Sequence, residues 1–308
     1  MQVRSRGSSS PRHVMSSSRW GLPPVLVALC AGATFGLEPT EGQRDEAEVR
    51  ALVVEAVERM NEELGTAAER YRVLMTSEDR EFDADGAITE ETTVEWERVP
   101  VDGAGFRRRL AIDGRPLTEE QRAREVEREA AFRERLRRLR AGETEPQRNE
   151  NALEFNEELV SRYDLTLDGE EVLRGRPSYR IAFAPRDGDL PVRRPMDRAL
   201  NKARGRIWID REAREVARIE FELIERVRLW WGLVGTIHHF RGSMDRGPVL
   251  DGIWASLQDE NYRDIRFFFS RSRQASMRRW RAYEWTDTEA AQDESAAGNP
   301  DVADGDAR

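Results

Sequence analysis

The residues able to do chemistry are few in kind. The chain has 308 residues, with three histidines, one cysteine and 59 carboxylates. His13 lies in an N-terminal leader-like stretch, which leaves His238 and His239. Neighbours on a strand point to opposite faces, so this pair cannot converge on one metal or serve one nucleophile. Carboxylates are so numerous that some pair always falls at catalytic spacing. Asp210, Glu212 and Glu215 are the best grouped, but they sit in an expected hairpin turn after Ile209, where acids stabilise the turn through local hydrogen bonds. Nothing sets one of them beside an apolar wall, as a general acid requires. No Walker loop, G-x-S-x-G elbow, H-E-x-x-H helix or dinucleotide fingerprint is present. Asp102, Gly103, Ala104 and Gly105 read as a turn, because no Lys-Ser or Lys-Thr follows them. The expectation is a non-enzymatic chain with no catalytic residue, no metal ligand and no cofactor.

The ends sharpen this. Residues 1–36 hold Arg4, Arg6, Arg12 and Arg19, no acid, and an apolar run from Gly21 to Ala33 that closes on small residues. That is the pattern of a secretory signal peptide, too short to span a bilayer as a helix. Cleavage near Ala33 or Gly36 would leave a periplasmic or secreted chain without cysteine, and so without a disulfide or thiolate metal site. A tethered lipoprotein acylated on Cys30 is the alternative, although Leu29 is larger than the residue expected before such a cysteine; retention as an anchor is the third. Loss of the leader moves the formal charge from −9 to −13, which speaks against nucleic acid as a partner. Residues 286–308 carry seven acids, one Arg and one Val, and read as a disordered acidic tail.

Between these ends, residues 37–285 form one large domain. From Glu46 to Leu64 the positions Val49, Leu52, Val53, Ala56, Val57, Met60 and Leu64 recur at helical steps, giving one buried stripe. Tyr71, Val73 and Met75 open a hairpin that turns at Asp83 to Gly86 and returns through Val94 and Trp96; Phe106, Leu110 and Ile112 lead to a second turn at Asp113 and Gly114. Thr118, with Gln121 three residues on, caps a helical insertion over 118–141 whose apolar set is thin and whose Glu and Arg residues pair along the helix. Ala152 to Leu159 suits a short helix. Tyr163, Leu165 and Leu167 then alternate up to an expected turn at Asp168 and Gly169, and Tyr179, Ile181 and Phe183 alternate up to Pro185. Ala217, Ile219, Phe221 and Leu223 alternate with Arg218, Glu220 and Glu222, one face buried and the other in water. Farther on, Trp230 and Trp231 are neighbours, as are Phe267, Phe268 and Phe269. On strands their rings point to both sides, so both sides need cover.

Three segments give this order of elements a family likeness: Gly175, Arg176, Pro177, Ser178, Tyr179, Arg180, Ile181, Ala182, Phe183, Ala184, Pro185; the hairpin from Gly205, Arg206, Ile207, Trp208, Ile209, Asp210 to Ile219; and Asp251, Gly252, Ile253, Trp254. With the leader, the amphipathic helix and the long hairpins, the chain resembles the periplasmic outer-membrane lipoprotein-sorting proteins and their sensor relatives over 46–285. The resemblance implies an α+β, mostly antiparallel fold: an open β half-barrel whose concave face is apolar and covered by helices, binding acyl chains without chemistry. On that footing Phe221, Leu223, Trp230, Trp231, Phe267, Phe268 and Phe269 are the candidate apolar wall, and the expected partner is a lipid or an acylated protein. The alternative is an envelope structural or protein-interaction module with no small ligand, since an exposed aromatic patch or strand edge serves a protein partner equally well.

Overall fold

The computed structural model describes residues 45–66, 70–145, 155–229 and 235–286. The leader, the acidic tail, Trp230 and Trp231 lie outside the described residues. Twelve strands form one antiparallel sheet: β1 (Tyr71–Phe82), β2 (Ile88–Val101), β3 (Ala104–Ile112), β4 (Arg115–Pro116), β5 (Tyr163–Leu173), β6 (Arg176–Pro185), β7 (Ala203–Asp210), β8 (Val216–Leu223), β9 (Val227–Leu229), β10 (Gly235–Leu250), β11 (Ile253–Phe267) and β12 (Ser270–Trp285). The strand order is β4-β3-β2-β1-β12-β11-β10-β8-β7-β6-β5, with β9 added to β10. Tyr71 to Phe82 of β1 pair with β12, so the last strand completes the first. The edges β4 and β5 do not pair with each other, and the sheet is an open half-barrel.

Among the described residues four helices accompany it: α1 (Glu46–Thr66), α2 (Glu119–Arg140), α3 (Glu157–Val160) and α4 (Asp197–Leu200). No helix among the described residues is long and apolar enough to cross a membrane. The stripe of α1 is the centre of the main core. Val49, Leu52, Val53, Ala56, Val57 and Met60 are buried against Tyr163, Leu165, Tyr179, Ile181, Ile207, Ile209, Val216 and Ile219 of β5 to β8. Burying six such side chains removes enough apolar surface from water to hold the helix without help from its exposed face. Arg50 fixes its entry by donating to the carbonyls of Val160 and Tyr163 at 3.1 and 2.9 Å.

The second long helix is attached differently. Thr118 accepts from Gln121 N–H at 3.2 Å while the Gln121 side chain accepts from Thr118 N–H at 2.9 Å, closing the expected capping box. Beyond the contacts of the Phe106 ring with Phe132 at 5.2 Å and with the Arg128 guanidinium at 5.5 Å, polar bonds hold α2 on β3. Glu125, 6% exposed, accepts from the Arg109 N–H at 3.1 Å, from its guanidinium at 3.0 Å and from Arg128. Glu129 pairs with Arg108 at 2.8 Å.

Several local expectations need correction. Asp168 and Gly169 do not turn the chain: β5 continues past a bulge there to Leu173, and the turn is Arg174 and Gly175, both at positive φ. The alternation of Tyr163, Leu165 and Leu167 holds up to the bulge, which shifts only the residues beyond it. A bulge between Trp208 and Ile209 also breaks the β8 row, so Ala217 packs with Leu173, Trp208 and Trp254 on the face opposite Ile219. The helix expected over 152–159 is limited, among the described residues, to Glu157–Val160. Phe268 and Phe269 form the turn between β11 and β12 rather than strand, so the need for cover on both faces does not arise from them.

Candidate functional site

Alternation divides each strand of the second half-sheet into two sets. Leu165, Ile181, Phe183, Ile207, Ile219 and Phe221 face α1. Their neighbours face the other way, and there a trough of about 1270 Å³ runs from Asp164 and Thr166 on β5 to Glu78, Arg80 and Phe82 on β1. Both strands border it although β6, β7, β8, β10, β11 and β12 lie between them in the sheet, so the sheet is concave on this face. The same curl brings Arg174, at the β5–β6 turn, to Asp245 on β10 at 2.8 Å and to the Ala217 carbonyl at 3.0 Å.

Register orders the lining into two rows. In one, Ala182, Arg206, Glu220, Ser243, Glu260, Met277 and Glu78 stand opposite one another across seven strands. In the next, Arg204, Glu222, Arg241, Tyr262, Ala275 and Arg80 do the same. The first row has three carboxylates to one guanidinium; the second has three guanidiniums to one carboxylate. Residues two apart on a strand are about 7 Å apart, so an acidic and a basic row run side by side across the sheet. Within them Arg204 holds Glu222 at 2.9 and 2.7 Å, Arg206 reaches Asp168 at 3.3 Å, and Arg80 holds Glu91 at 2.7 Å, a contact that raises the Arg80 pKa. Arg241 lies over the Tyr262 ring at 5.4 Å and makes no ion pair among the described residues. Phe82 packs edge-on against the same ring at 6.2 Å. Gly205 and Gly242 form part of the floor, and a Cβ on either would strike a backbone carbonyl or a phenylalanine ring from the α1 side.

The arrangement can bind charges of both signs along a line. It does not present a nucleophile with a base, and among the described residues no three His, Cys, Asp or Glu side chains are placed to hold a metal. The turn acids act structurally. Asp210, 1% exposed, accepts from the Glu212 and Ala213 N–H groups at 3.0 and 2.8 Å and from Arg176 at 2.6 and 2.9 Å. Burial alone would raise its pKa, but these donors outweigh it and hold the carboxyl below the usual range.

Among the described residues, those expected to form the apolar wall do not share one surface. Phe221 borders the trough, but its ring lies over Gly242 and against Phe240 at 5.3 Å. Leu223 is half-buried at the end of β8, opposite Ala203. Phe267 stands opposite Gly235, seven residues along β10 from the Gly242 that faces Phe221, a separation of roughly 24 Å along an extended strand. The trough residues Arg204, Arg206, Glu220, Glu222 and Arg241 were visible in the sequence only as the polar half of an alternating pattern, which reads as a solvated face. Their rows depend on which strands are neighbours, and β1 to β12 and β8 to β10 pairing is not a local signal.

No family model matches the sequence, and no curated protein matches it. Among solved structures it is similar to an outer membrane lipoprotein-sorting protein domain from Vibrio parahaemolyticus, at 9% identity over 82% of this chain and 99% of that one, with a TM-score of 0.34. It is also similar to a DUF1329 family protein from Desulfovibrio piger, at 15% identity over 80% and 98% with a TM-score of 0.29. A third is the LolA superfamily protein NE2245 from Nitrosomonas europaea, at 10% identity over 78% and 94% with a TM-score of 0.26.

Proposed function

We propose that this chain is an exported, non-enzymatic binding module of the cell envelope, whose concave trough holds an extended segment of a partner protein. The observation that carries the reading is the pair of oppositely charged rows. An extended segment laid across the strands meets carboxylates on one flank and guanidiniums on the other, and bonds to ionised groups of this kind contribute about 1.5–3 kcal/mol each when well made. A bare acyl chain in the same place would strip water from these groups without replacing it. Export rests on the arginine-rich start and the short apolar run from Gly21 to Ala33. A second reading, an acylated partner, is favoured by Ala275, Met277, Tyr262 and Phe82, apolar neighbours on β12, β11 and β1 within the trough; there the acyl chain would lie on these residues and the polypeptide along the charges.

Site-specific photo-crosslinking in the source cells tests both. A benzophenone side chain at Ala275 is expected to give a protein adduct, the same probe at exposed Val172 none, and Arg204→Glu with Arg241→Glu should suppress the adduct about tenfold. An adduct of peptide carrying an acyl group would establish the second reading. Adducts with lipid alone, or equal yields from Ala275 and Val172, would overturn the protein-segment reading.

A further inference from the structure

One end of the sheet sets bare aromatic rings beside cations that lack acidic partners. β11 ends at Phe267, and Phe268 and Phe269 make the turn into β12; the three are 48%, 62% and 104% exposed. Phe268 also takes φ +48°, a conformation that Gly or Asn adopts at far lower cost than a bulky side chain. Replacing these rings by small polar turn residues would relieve both the backbone strain and the exposed apolar surface. Neither packing nor turn geometry therefore accounts for them.

Directly behind the tip, register places Arg228, Thr236, Arg266 and Arg271 opposite one another across β9, β10, β11 and β12. Residues so placed share a face with Cβ atoms about 5 Å apart, and like charges at that spacing repel. Arg271 closes on Asp264 at 2.7 and 2.6 Å, but among the described residues Arg228 and Arg266 make no ion pair; Arg266 reaches the Thr236 hydroxyl at 3.4 Å. Next to this row lies a cleft of about 820 Å³ that adds Arg198, Lys202 and Arg226, with Glu225 as its one acid, already paired to Lys202 at 2.7 Å. His238 Nε2 is buried beside the cleft without a hydrogen-bond partner. Val192 in the cleft wall and Ile224 at its rim are 49% and 48% exposed. All this sits on a chain whose net charge is −9.

We propose that this end of the sheet docks on an anionic phospholipid surface, the Phe268–Phe269 tip entering at the level where headgroups meet acyl chains and Arg228, Arg266 and the adjoining cleft holding lipid phosphates. Apolar rings flanked by arginines suit that boundary, where one side is hydrocarbon and the other carries negative charge. A free phosphate would occupy the cleft and leave the rings unused, so the two features together select a lipid surface. The proposal is independent of the trough, which lies among other residues.

Vesicle cosedimentation of the full-length chain tests it. Binding is expected to vesicles of one part phosphatidylglycerol and three parts phosphatidylcholine, falling steeply between about 0.05 M and about 0.5 M salt, with little binding to phosphatidylcholine alone. Phe268→Ser with Phe269→Ser, and Arg228→Gln with Arg266→Gln, should each weaken binding about tenfold or more, while Arg124→Gln, an exposed arginine on α2, should not. Thermal midpoints should stay near wild type, since all four side chains are exposed. A Phe269→Trp variant should show added quenching by brominated acyl chains in the anionic vesicles. Equal binding to both vesicle types, tip or arginine variants that bind like wild type, or no added quenching would each overturn the proposal.

Discussion

The helices α1 and α2 have nearly the same length, 21 and 22 residues, and are held by opposite physics. The first buries a continuous apolar stripe against four strands; the second has Glu125 as its buried residue and is held on β3 by guanidinium–carboxylate bonds around the Phe106 ring. Apolar burial does not depend on protonation and is little affected by moderate salt. Exposed and half-exposed ion pairs depend on both, and each contributes little by itself. One helix thus belongs to the body of the fold, and the other is attached by contacts that solution conditions can weaken.

The largest effect expected from this difference is in α1. Leu52 is 1% exposed among Val49, Ala56 and the sheet residues, so Leu52→Ala should cost about 2–5 kcal/mol and lower the thermal midpoint of the whole domain. Calorimetry should show one transition displaced as a unit. A loss confined to local exchange near residue 52, with the midpoint unchanged, would break the comparison by showing that α1 is also a peripheral attachment.

A smaller and more local effect is expected at Glu125. Glu125→Ala leaves the Arg109 N–H and two guanidiniums without their acceptor, a loss of about 1–3 kcal/mol that falls on the α2–β3 contact. Hydrogen exchange should rise through 119–140 while amides of β7 and β8 keep their protection. Equal loss in both places would mean that α2 is part of the cooperative core.

The same contrast marks what the sequence made legible. The α1 stripe, the α2 capping box at Thr118 and Gln121, the turns at Asp83 to Gly86 and Asp113, Gly114, and the acids of the Asp210 turn are local signals, and each has its counterpart in the structure. The open antiparallel half-barrel is what the family resemblance implied, and the unpaired edges β4 and β5 agree with it. What was not legible depends on bulges and on distant pairing. One extra residue near Asp168 and another near Ala217 move side chains between faces without any change in composition. The trough and the arginine row behind Phe267 exist only because β8, β10, β11, β12 and β1 lie in that order, and a triple of phenylalanines reads as buried strand until the turn beneath it is known.

The smallest expected effect is also the most discriminating, because it alters no side chain. Burial of Glu125 would by itself raise its pKa, and the same holds for Glu129; hydrogen bonds from Arg128 and Arg109 to the first, and from Arg108 and Arg133 to the second, outweigh burial and leave both carboxyls below their ordinary range. Glu134 is lowered to about 2, chiefly by hydrogen bonds from Arg137 and Arg138 on the same helix, so it steadies α2 itself rather than its contact with β3. A carboxyl whose pKa is lower in the folded than in the released state stabilises the folded contact above the released-state value, and that stabilisation fades as pH falls toward the folded value. Protection of 119–140, corrected for intrinsic exchange, should therefore decline as pH falls below the ordinary glutamate value of about 4.3. The α1 stripe contains no titrating group, so amides of α1 should stay protected until acid acts on the buried pairs of the main sheet, such as Asp210 with Arg176. Added salt at neutral pH should loosen α2 in the same direction by screening its pairs. Parallel loss of protection in both helices across this pH range would show that the carboxylates of α2 do not govern its attachment, and that the Phe106–Phe132 contact holds it as apolar burial holds α1.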